Sequence, residues 1–235
     1  MSKLFVTGDT HGGIDMTKLN SRHFRTEGLT KDDIMVIMGD AGFIWNGGGA
    51  DKFWQDFLND KPWTTFCVLG NHENYDLIEQ LPVVDFHGAK AYKVNDSLYY
   101  AITGEVYDFC GKKCLVVNGA DSHDLYNPDG TLFRTPHKSW WEQERITQDD
   151  INKALISLAQ YGDEVDFIFS HTGGTEVNRM LGFKPTHSDF MLDLVLNTAD
   201  YDQHFCGHYH IDKLCDKSRI LYDDIMLIAS SDEND

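Results

Sequence analysis

Basic residues are scarce in this sequence. Its 235 residues include 20 Lys and Arg against 38 Asp and Glu, so the formal net charge is -18 at pH 7. A surface with this excess of negative charge repels phosphate backbones and binds a duplex only where cations reverse the field locally. The composition therefore disfavours nucleic acid as a partner, although some of the carboxylates are candidates for a cation site.

Long apolar runs are also missing. No stretch reaches the roughly 20 apolar residues that span a bilayer, and the chain enters its first apolar run at Lys3 without a signal peptide. These absences predict no membrane partner and a cytoplasmic location. No internal repeat or low-complexity linker divides the chain, so we predict a single domain over residues 1–235.

Cysteine occurs five times, an odd number, at Cys67, Cys110, Cys114, Cys206 and Cys215. Two of these residues lie inside apolar runs, where a free thiol behaves as a small apolar side chain. The sequence therefore predicts buried thiols, with a zinc or disulfide role for Cys110 and Cys114 as the alternative.

Five short apolar runs, each of the length of a buried strand, lead into residues that can bind a metal. The runs are 3–7, 34–38, 66–69, 167–169 and 204–206, and the residues that follow them include Asp9, His11, Asp40, Asn71, His72, His171, His208 and His210. Ligands of open α/β sheets bind outside the carboxyl ends of the strands, so the five ends are predicted to converge on one metal site. Any one of them alone is more simply an ordinary strand-end turn. Five strand ends that all lead into Asp, Asn or His favour the metal site.

A glycine stands between four of the runs and the polar residue that follows, at Gly8, Gly39, Gly70 and Gly207. Glycine tolerates a positive φ without steric cost. We therefore expect these residues to make the sharp turns by which the chain leaves the sheet.

Helices are predicted at 51–59, after Thr147 with Asp150 in a capping box, and from Ser188 onward. Between residues 91 and 117, short runs separated by hairpin residues predict an antiparallel second sheet packed beside the first.

The C-terminal part of the sequence contains two further strand-like runs, at 220–222 and 226–228. A polar, acidic tail follows at 230–235 and is predicted to be disordered.

Taken in order, the polar residues form five blocks: Asp9-x-His11, Gly39-Asp40, Gly70-Asn71-His72-Glu73, Ser170-His171 and Gly207-His208-x-His210. In these blocks the chain resembles the calcineurin-like metallophosphoesterases, from residue 4 to about 222. The motifs Gly-Asp-x-Gly-x-x-Trp at 39–45 and Gly-Asn-His-Glu-Asn at 70–74 are similar to those of a bacterial and phage subfamily. The resemblance implies an α/β fold, a four-layer α/β/β/α sandwich of two mixed sheets flanked by helices.

The resemblance also implies two divalent metal ions as cofactors, with Mn²⁺ expected and Fe, Zn²⁺ or Ni²⁺ as alternatives. By this resemblance, the first metal is held by Asp9, His11 and His210, and the second by Asn71, His171 and His208. Asp40 bridges the two metals, and His72 is a catalytic residue that assists the leaving group and binds no metal. The implied activity is hydrolysis of a small phosphodiester or phosphomonoester.

The second block departs from that of the Ser/Thr protein phosphatases, which carry an Asp and an Arg where this chain has Phe43 and Ile44. The departure disfavours the alternative of a protein phosphatase. A second alternative is a non-catalytic binding module, such as a retromer subunit that resembles this family. The intact Asp40, Asn71 and His72 argue against that alternative.

The segment 122–145 shows neither helix nor strand periodicity but contains Arg134, Lys138, Trp140 and Trp141. A loop of this length in a compact domain is typical of a functional segment. We predict a cap over the metals in which Arg134, Lys138 and a tryptophan contact the substrate. The alternative is a surface excursion whose tryptophans pack into the core. The oligomeric state is left open by the sequence.

Overall fold

Thirteen strands form within residues 1–231, which are the residues that the computed structural model describes. Along the chain they are β1 (Lys3–Thr7), β2 (Ile34–Ile37), β3 (Thr64–Cys67), β4 (Val83–Phe86), β5 (Ala89–Asn95), β6 (Leu98–Ala101), β7 (Val106–Phe109), β8 (Lys112–Val117), β9 (Glu164–Ser170), β10 (Asp200–Cys206), β11 (Lys213–Cys215), β12 (Ser218–Ile220) and β13 (Met226–Ser230). The strand order is β13-β1-β2-β3-β6-β5-β4 in one sheet and β11-β12-β10-β9-β8-β7 in the other. Both sheets contain parallel and antiparallel pairs.

The helices lie on the outer faces of the two sheets. They are α1 (Gly49–Asn59), α2 (Tyr75–Ile78), α3 (Gln148–Ala159), α4 (Gly174–Leu181) and α5 (His187–Leu196), with two 3₁₀ helices at Met16–Leu19 and Glu142–Glu144. The alternation along β1 shows the layering, because Val6 joins the core between the sheets and Phe5 packs on the outer face of the first sheet. The predicted four-layer sandwich of two mixed sheets with flanking helices is confirmed.

The predicted partition of strands was wrong in one respect. Residues 91–117 do not form a single antiparallel sheet, because β5 and β6 extend the first sheet whereas β7 and β8 belong to the second. β8 pairs in parallel with β9, which in turn pairs in parallel with β10. The five strand ends that lead to the candidate metal ligands therefore come from two facing sheets, three from one and two from the other.

The three predicted helices are present, with starts that differ by one or two residues from the sequence estimate for two of them. Thr147 and Asp150 form the predicted capping box at the start of α3. Within residues 1–231, none of the helices combines the length and the apolar composition needed to cross a bilayer.

No disulfide joins the five cysteines, all of which lie in the described part of the chain. Four of them are buried and Cys110 is partly buried, as expected for thiols in a sandwich core. Ser230 ends β13 opposite Lys3, and residues 232–235 of the predicted acidic tail lie outside the described residues.

Candidate metal centre

The five strand ends meet at one edge of the sandwich. Four of the polar residues after them have left-handed backbone angles, namely His11 (φ 43), Asp40 (φ 48), His208 (φ 71) and His210 (φ 51). Such angles cost about 1–3 kcal/mol each for a residue other than glycine and concentrate at functional sites, where the surrounding structure enforces them. The chain thus bends sharply to direct these side chains into one cluster.

Only Gly39 of the four predicted glycines has a positive φ, of 93°. The expectation of a positive φ was wrong for the other three, which are needed for close packing instead. A Cβ on Gly70 would lie 2.2 Å from Oδ1 of Asp40, and one on Gly207 would lie 2.3 Å from Oδ1 of Asp9. Glycine is therefore required at these two positions because the candidate ligands Asp40 and Asp9 pass directly over the backbone.

The first ligand set consists of Asp9, His11 and His210. Nε2 of His210 is 3.1 Å and Nε2 of His11 is 4.0 Å from Oδ2 of Asp9. This oxygen is fully buried and has no hydrogen-bond partner within residues 1–231, since neither ring meets hydrogen-bond geometry. A buried carboxylate oxygen without a partner is costly unless a cation neutralises it, so this cluster fits a divalent metal ion.

The second ligand set consists of Asn71, His171 and His208. Nε2 of His171 is 3.2 Å from both Oδ1 of Asn71 and Nδ1 of His208. Nε2 of His171 therefore lies close to one possible ligand atom from each of the other two residues. Burial, aided by the nearby His171, lowers the pKa of His208 to about 3, which keeps its ring neutral and able to bind a metal.

Asp40 lies between the two ligand sets. Its Oδ2 is 3.4 Å from Nε2 of His11 in the first set, and its Oδ1 is 3.3 Å from Nε2 of His171 in the second. Burial opposes ionisation of this carboxyl, but the neighbouring His171 and His11 outweigh it and hold the pKa of Asp40 well below its usual range. A buried carboxylate with one oxygen toward each set can bridge two cations.

The carboxylates change the protonation of both sets. Burial alone would lower the pKa of His11, yet Asp40 and Asp15 raise it to about 9. In the same way Asp40, acting against burial, raises the pKa of His171 to about 9. Each set therefore binds one proton near neutral pH, and a metal ion must displace that proton.

Residues outside the ligand sets fix the orientation of the imidazole rings by hydrogen bonding and stacking. Nδ1 of His11 is 2.7 Å from Oδ2 of Asp15, and the Tyr222 hydroxyl donates to the other oxygen of Asp15 at 3.0 Å. The Tyr222 ring also stacks on His210, with ring centroids 4.8 Å apart. Sequence reasoning missed this support, although the four-residue spacing of His11 and Asp15 could have indicated it.

Lys18 is buried beneath the first ligand set. Its ammonium group donates to the backbone oxygens of Asp9, at 2.6 Å, of Gly8, at 3.1 Å, and of Tyr222. Burial lowers the pKa of this lysine. The cation therefore ties the loop after β1 to the loop that positions Tyr222.

His72 lies beside both sets without joining either. Its backbone N–H donates to Oδ1 of Asp40 at 2.7 Å, and its ring centroid is 5.6 Å from that of His11. Burial and the adjacent Arg134 lower the pKa of His72, outweighing the charge of Asp40. The ring is consequently neutral at pH 7.

The 122–145 segment contacts this cluster at three points. The Ser122 hydroxyl accepts from Nδ2 of Asn71 at 3.3 Å, and Nε2 of His123 is 3.0 Å from Nε2 of His208. The guanidinium of Arg134 lies against the His72 ring, with closest nitrogen distances of 3.3 and 3.4 Å.

Arg134 is held in place by Asp124, whose carboxylate accepts from Nε at 2.7 Å and from Nη2 at 2.6 Å. His123 and Asp124 carry no local sequence signal, because a loop without periodicity does not indicate which of its residues point inward. Only the folded chain brings them to the metal centre.

The two tryptophans of the segment differ. Trp141 is 1% exposed, packs edge-on against Trp45 and donates its indole N–H to Asp76, so it is a core residue. The alternative of a tryptophan packed into the core therefore holds for Trp141, and Trp140 is left as the predicted substrate contact. Trp140 is partly buried and Lys138 is exposed.

The sequence profile of the calcineurin-like phosphoesterases matches residues 2–212. No curated protein matches the chain. Similar solved structures include a candidate 5'-nucleotidase from Staphylococcus aureus, in complex with alpha-ketoglutarate, at 18% identity and a TM-score of 0.49. The alignment covers 94% of this chain and 48% of the nucleotidase, so the chain spans about half the length of that protein. Phosphopantetheinyl hydrolase from Mycobacterium tuberculosis is 14% identical, with a TM-score of 0.47 and coverage of 94% and 88%.

Proposed function

Because the chain belongs to the calcineurin-like phosphoesterase family, and is thus a metal-dependent phosphoester hydrolase, we propose that it hydrolyses a small phosphomonoester or phosphodiester at two divalent cations. The observation that carries this proposal is the position of Asp40, with one oxygen toward His11 and the other toward His171. We assign the first cation to the first ligand set, the second cation to the second set, and the bridge to Asp40.

The donors are carboxylate, amide and imidazole groups, a mixture that suits Mn²⁺ and also accommodates Fe, Zn²⁺ or Ni²⁺. We expect Mn²⁺. When bound, the cation pair would polarise the phosphoryl group and lower the pKa of a water molecule, which supplies a hydroxide nucleophile near neutral pH.

His72 assists the leaving group in this proposal. Its backbone bond to Asp40 fixes the ring beside both ligand sets, where the ester oxygen would depart. Its pKa is lowered by burial and by Arg134, and the negative charge of a bound phosphate would raise it again. The imidazole can then donate a proton or a hydrogen bond to the departing oxygen.

Arg134 supplies the cation that the second sequence block lacks. Ile44 and Phe43, which stand in place of the protein phosphatase Arg and Asp, are buried in the core. The Arg134 guanidinium lies instead against His72, pointing from the 122–145 segment into the centre. In this proposal Arg134 contacts the phosphate, Lys138 adds a second cation at the rim, and Trp140 contacts the organic group of the ester.

The expected partner is therefore a small molecule in the cytoplasm, with nucleic acid disfavoured by the net charge of -18. The missing Asp and Arg also disfavour a protein phosphatase, because Phe43 and Ile44, which stand in their places, are buried and do not reach the centre.

Metal content and turnover test the proposal together. Elemental analysis after Mn²⁺ loading should approach about two ions per chain, as for other two-metal sites. A panel of phosphomonoesters, phosphodiesters and phosphopeptides should show turnover of small esters by the loaded protein. A protein that keeps its phosphatase activity while free of metal would contradict the proposal. A protein that binds the metals but turns over no ester would instead be a binding module.

Arg134→Ala tests the phosphate contact. This variant should lower kcat/KM on the best substrate of the panel without changing metal content. Arg179→Ala is the matched control, because Arg179 is an exposed arginine paired with Glu176 on α4. Equal kinetics of the Arg134→Ala variant and the parent on every substrate would remove Arg134 from the site.

A further inference from the structure

A cavity of about 320 Å³ opens beside the second ligand set. Ser122 and His123 belong to its wall, and these are the residues that contact Asn71 and His208. A group held in the cavity would therefore lie next to an ester bound at the second ligand set.

The wall of the cavity combines flat and apolar side chains. Tyr126 is 61% exposed, and Leu125 and Trp140 stand with it in the wall. Aromatic side chains stack on planar rings of almost any identity, which makes this wall suitable for a heterocycle.

The charges of the wall argue against a second anion. Arg145 is its cation, and Nε of this residue already donates to the Asp121 carboxylate at 2.7 Å. The remaining ionisable carboxyl of the wall is Glu144. A cavity whose cation is neutralised favours an uncharged group over a further phosphate or carboxylate.

Glu144 is only 1% exposed, and its Oε1 accepts from the Ser122 N–H at 2.9 Å. Its Oε2 is buried and forms no hydrogen bond of regular geometry within residues 1–231, and the same holds for the indole nitrogen of Trp140, which lies near this carboxyl. Burial raises the pKa of Glu144 to about 7, against the opposing effect of the Ser122 and Trp140 donors. Buried polar atoms without partners are few in native structures, and a missing ligand is one explanation for them.

We infer that this cavity is the subsite for the organic group of the ester, and that it selects an uncharged planar ring with an N–H donor, such as the amino-bearing edge of a nucleobase. Oε2 of Glu144 accepts from that donor, and Tyr126 and Trp140 contact the ring. The inference rests on the proposed function for the ester itself, while the recognition of the ring does not need the metals.

Nucleosides without phosphate give the direct test, by calorimetry on metal-free protein. Guanosine and inosine differ in one amino group, as do adenosine and purine riboside. The parent should bind the amino-bearing member of at least one pair about tenfold more tightly, the effect of one hydrogen bond to a carboxylate. No discrimination by the parent within either pair would overturn the inference.

Glu144→Gln tests the acceptor. The variant keeps an oxygen for the Ser122 N–H and places an NH₂ group where Oε2 stands, so the preference for the amino-bearing nucleoside should disappear. Glu142→Gln is the matched control on an exposed neighbour and should keep the preference. Trp140→Phe, which keeps a ring and removes the indole N–H, should weaken the binding of both nucleosides of a pair.

A Glu144→Gln variant that unfolds at lower temperature yet keeps the preference would make Glu144 a structural residue and overturn the inference. Metal-loaded protein that hydrolyses no ester while nucleoside discrimination persists would count against the proposed function alone. Hydrolysis without nucleoside discrimination would count against the subsite alone.

Discussion

The two ligand sets share Asp40 but are supported by different parts of the molecule. In the first set, the strand-end loops alone orient the rings, because Asp15 fixes His11 and Tyr222 stacks on His210. In the second set, His171 donates to the Met38 carbonyl oxygen inside the sandwich, whereas His208 relies on His123 of the 122–145 segment. One set is complete within the sandwich, and the other is completed by a long loop.

The two sets therefore differ in how a change in the 122–145 segment would affect them. The first set is built on loops tied down by the buried Lys18 and by stacking on Tyr222. The second set contacts Ser122 and His123, which belong to the wall of a cavity, so a change in the 122–145 segment can alter both metal affinity and substrate choice.

The largest effect is expected from removal of Asp40, the residue that both sets share. Asp40→Ala should lose bound metal from both sets and with it all measurable hydrolysis, because the bridging carboxylate is buried between them. Elemental analysis and turnover measure the two losses. Asp85→Ala, at a side chain that is 88% exposed, is the control and should match the parent. An Asp40→Ala protein with two ions per chain would refute the bridge.

His72→Ala should separate chemistry from metal binding. Turnover should fall by about 10²- to 10⁴-fold, the usual contribution of a general acid, while metal content stays at the parental value. His23→Ala, at an exposed histidine, serves as the control. If the His72→Ala protein loses metal, His72 is a ligand and its assignment to the leaving group is wrong.

The pH dependence of metal binding should be alike in both sets, because each contains one histidine with a pKa of about 9. Between pH 7 and 8 these rings are protonated, so each metal that binds should release about one proton and affinity should rise with pH up to about 9. Calorimetry in buffers of different ionisation enthalpy counts the protons. Binding without proton release would show that the raised pKa values do not apply.

The smallest expected effects are losses of metal affinity that are confined to one of the two sets. His123→Ala should weaken the second metal by about 10- to 100-fold and leave the first unchanged, whereas Asp15→Ala should do the reverse. Each variant is the control for the other in a two-site titration. Equal weakening of both metals by both variants would mean that the sets are not independently supported.

Much of the candidate site could be predicted from the sequence, because its side chains directly follow short buried strands. Asp9, Asp40 and Asn71 come after β1, β2 and β3, and the parallel pairing of these strands places their ends together. The partition of residues 91–117 could not be predicted in the same way. The hairpin pattern of β5 and β6 is the same as that of β7 and β8, and pairing partners far apart in the chain decide which sheet each pair joins.

By itself the sequence determined which residue types stand at the strand ends and where helices such as α3 begin, since periodicity and capping are local properties of the chain. Tertiary structure alone decided that Gly70 is needed because Asp40 crosses it at close range, that Trp141 packs into the core, and that His123 reaches His208. The physical reason is that close approach and burial depend on chain segments many residues apart. No pattern within one segment encodes the distance to another.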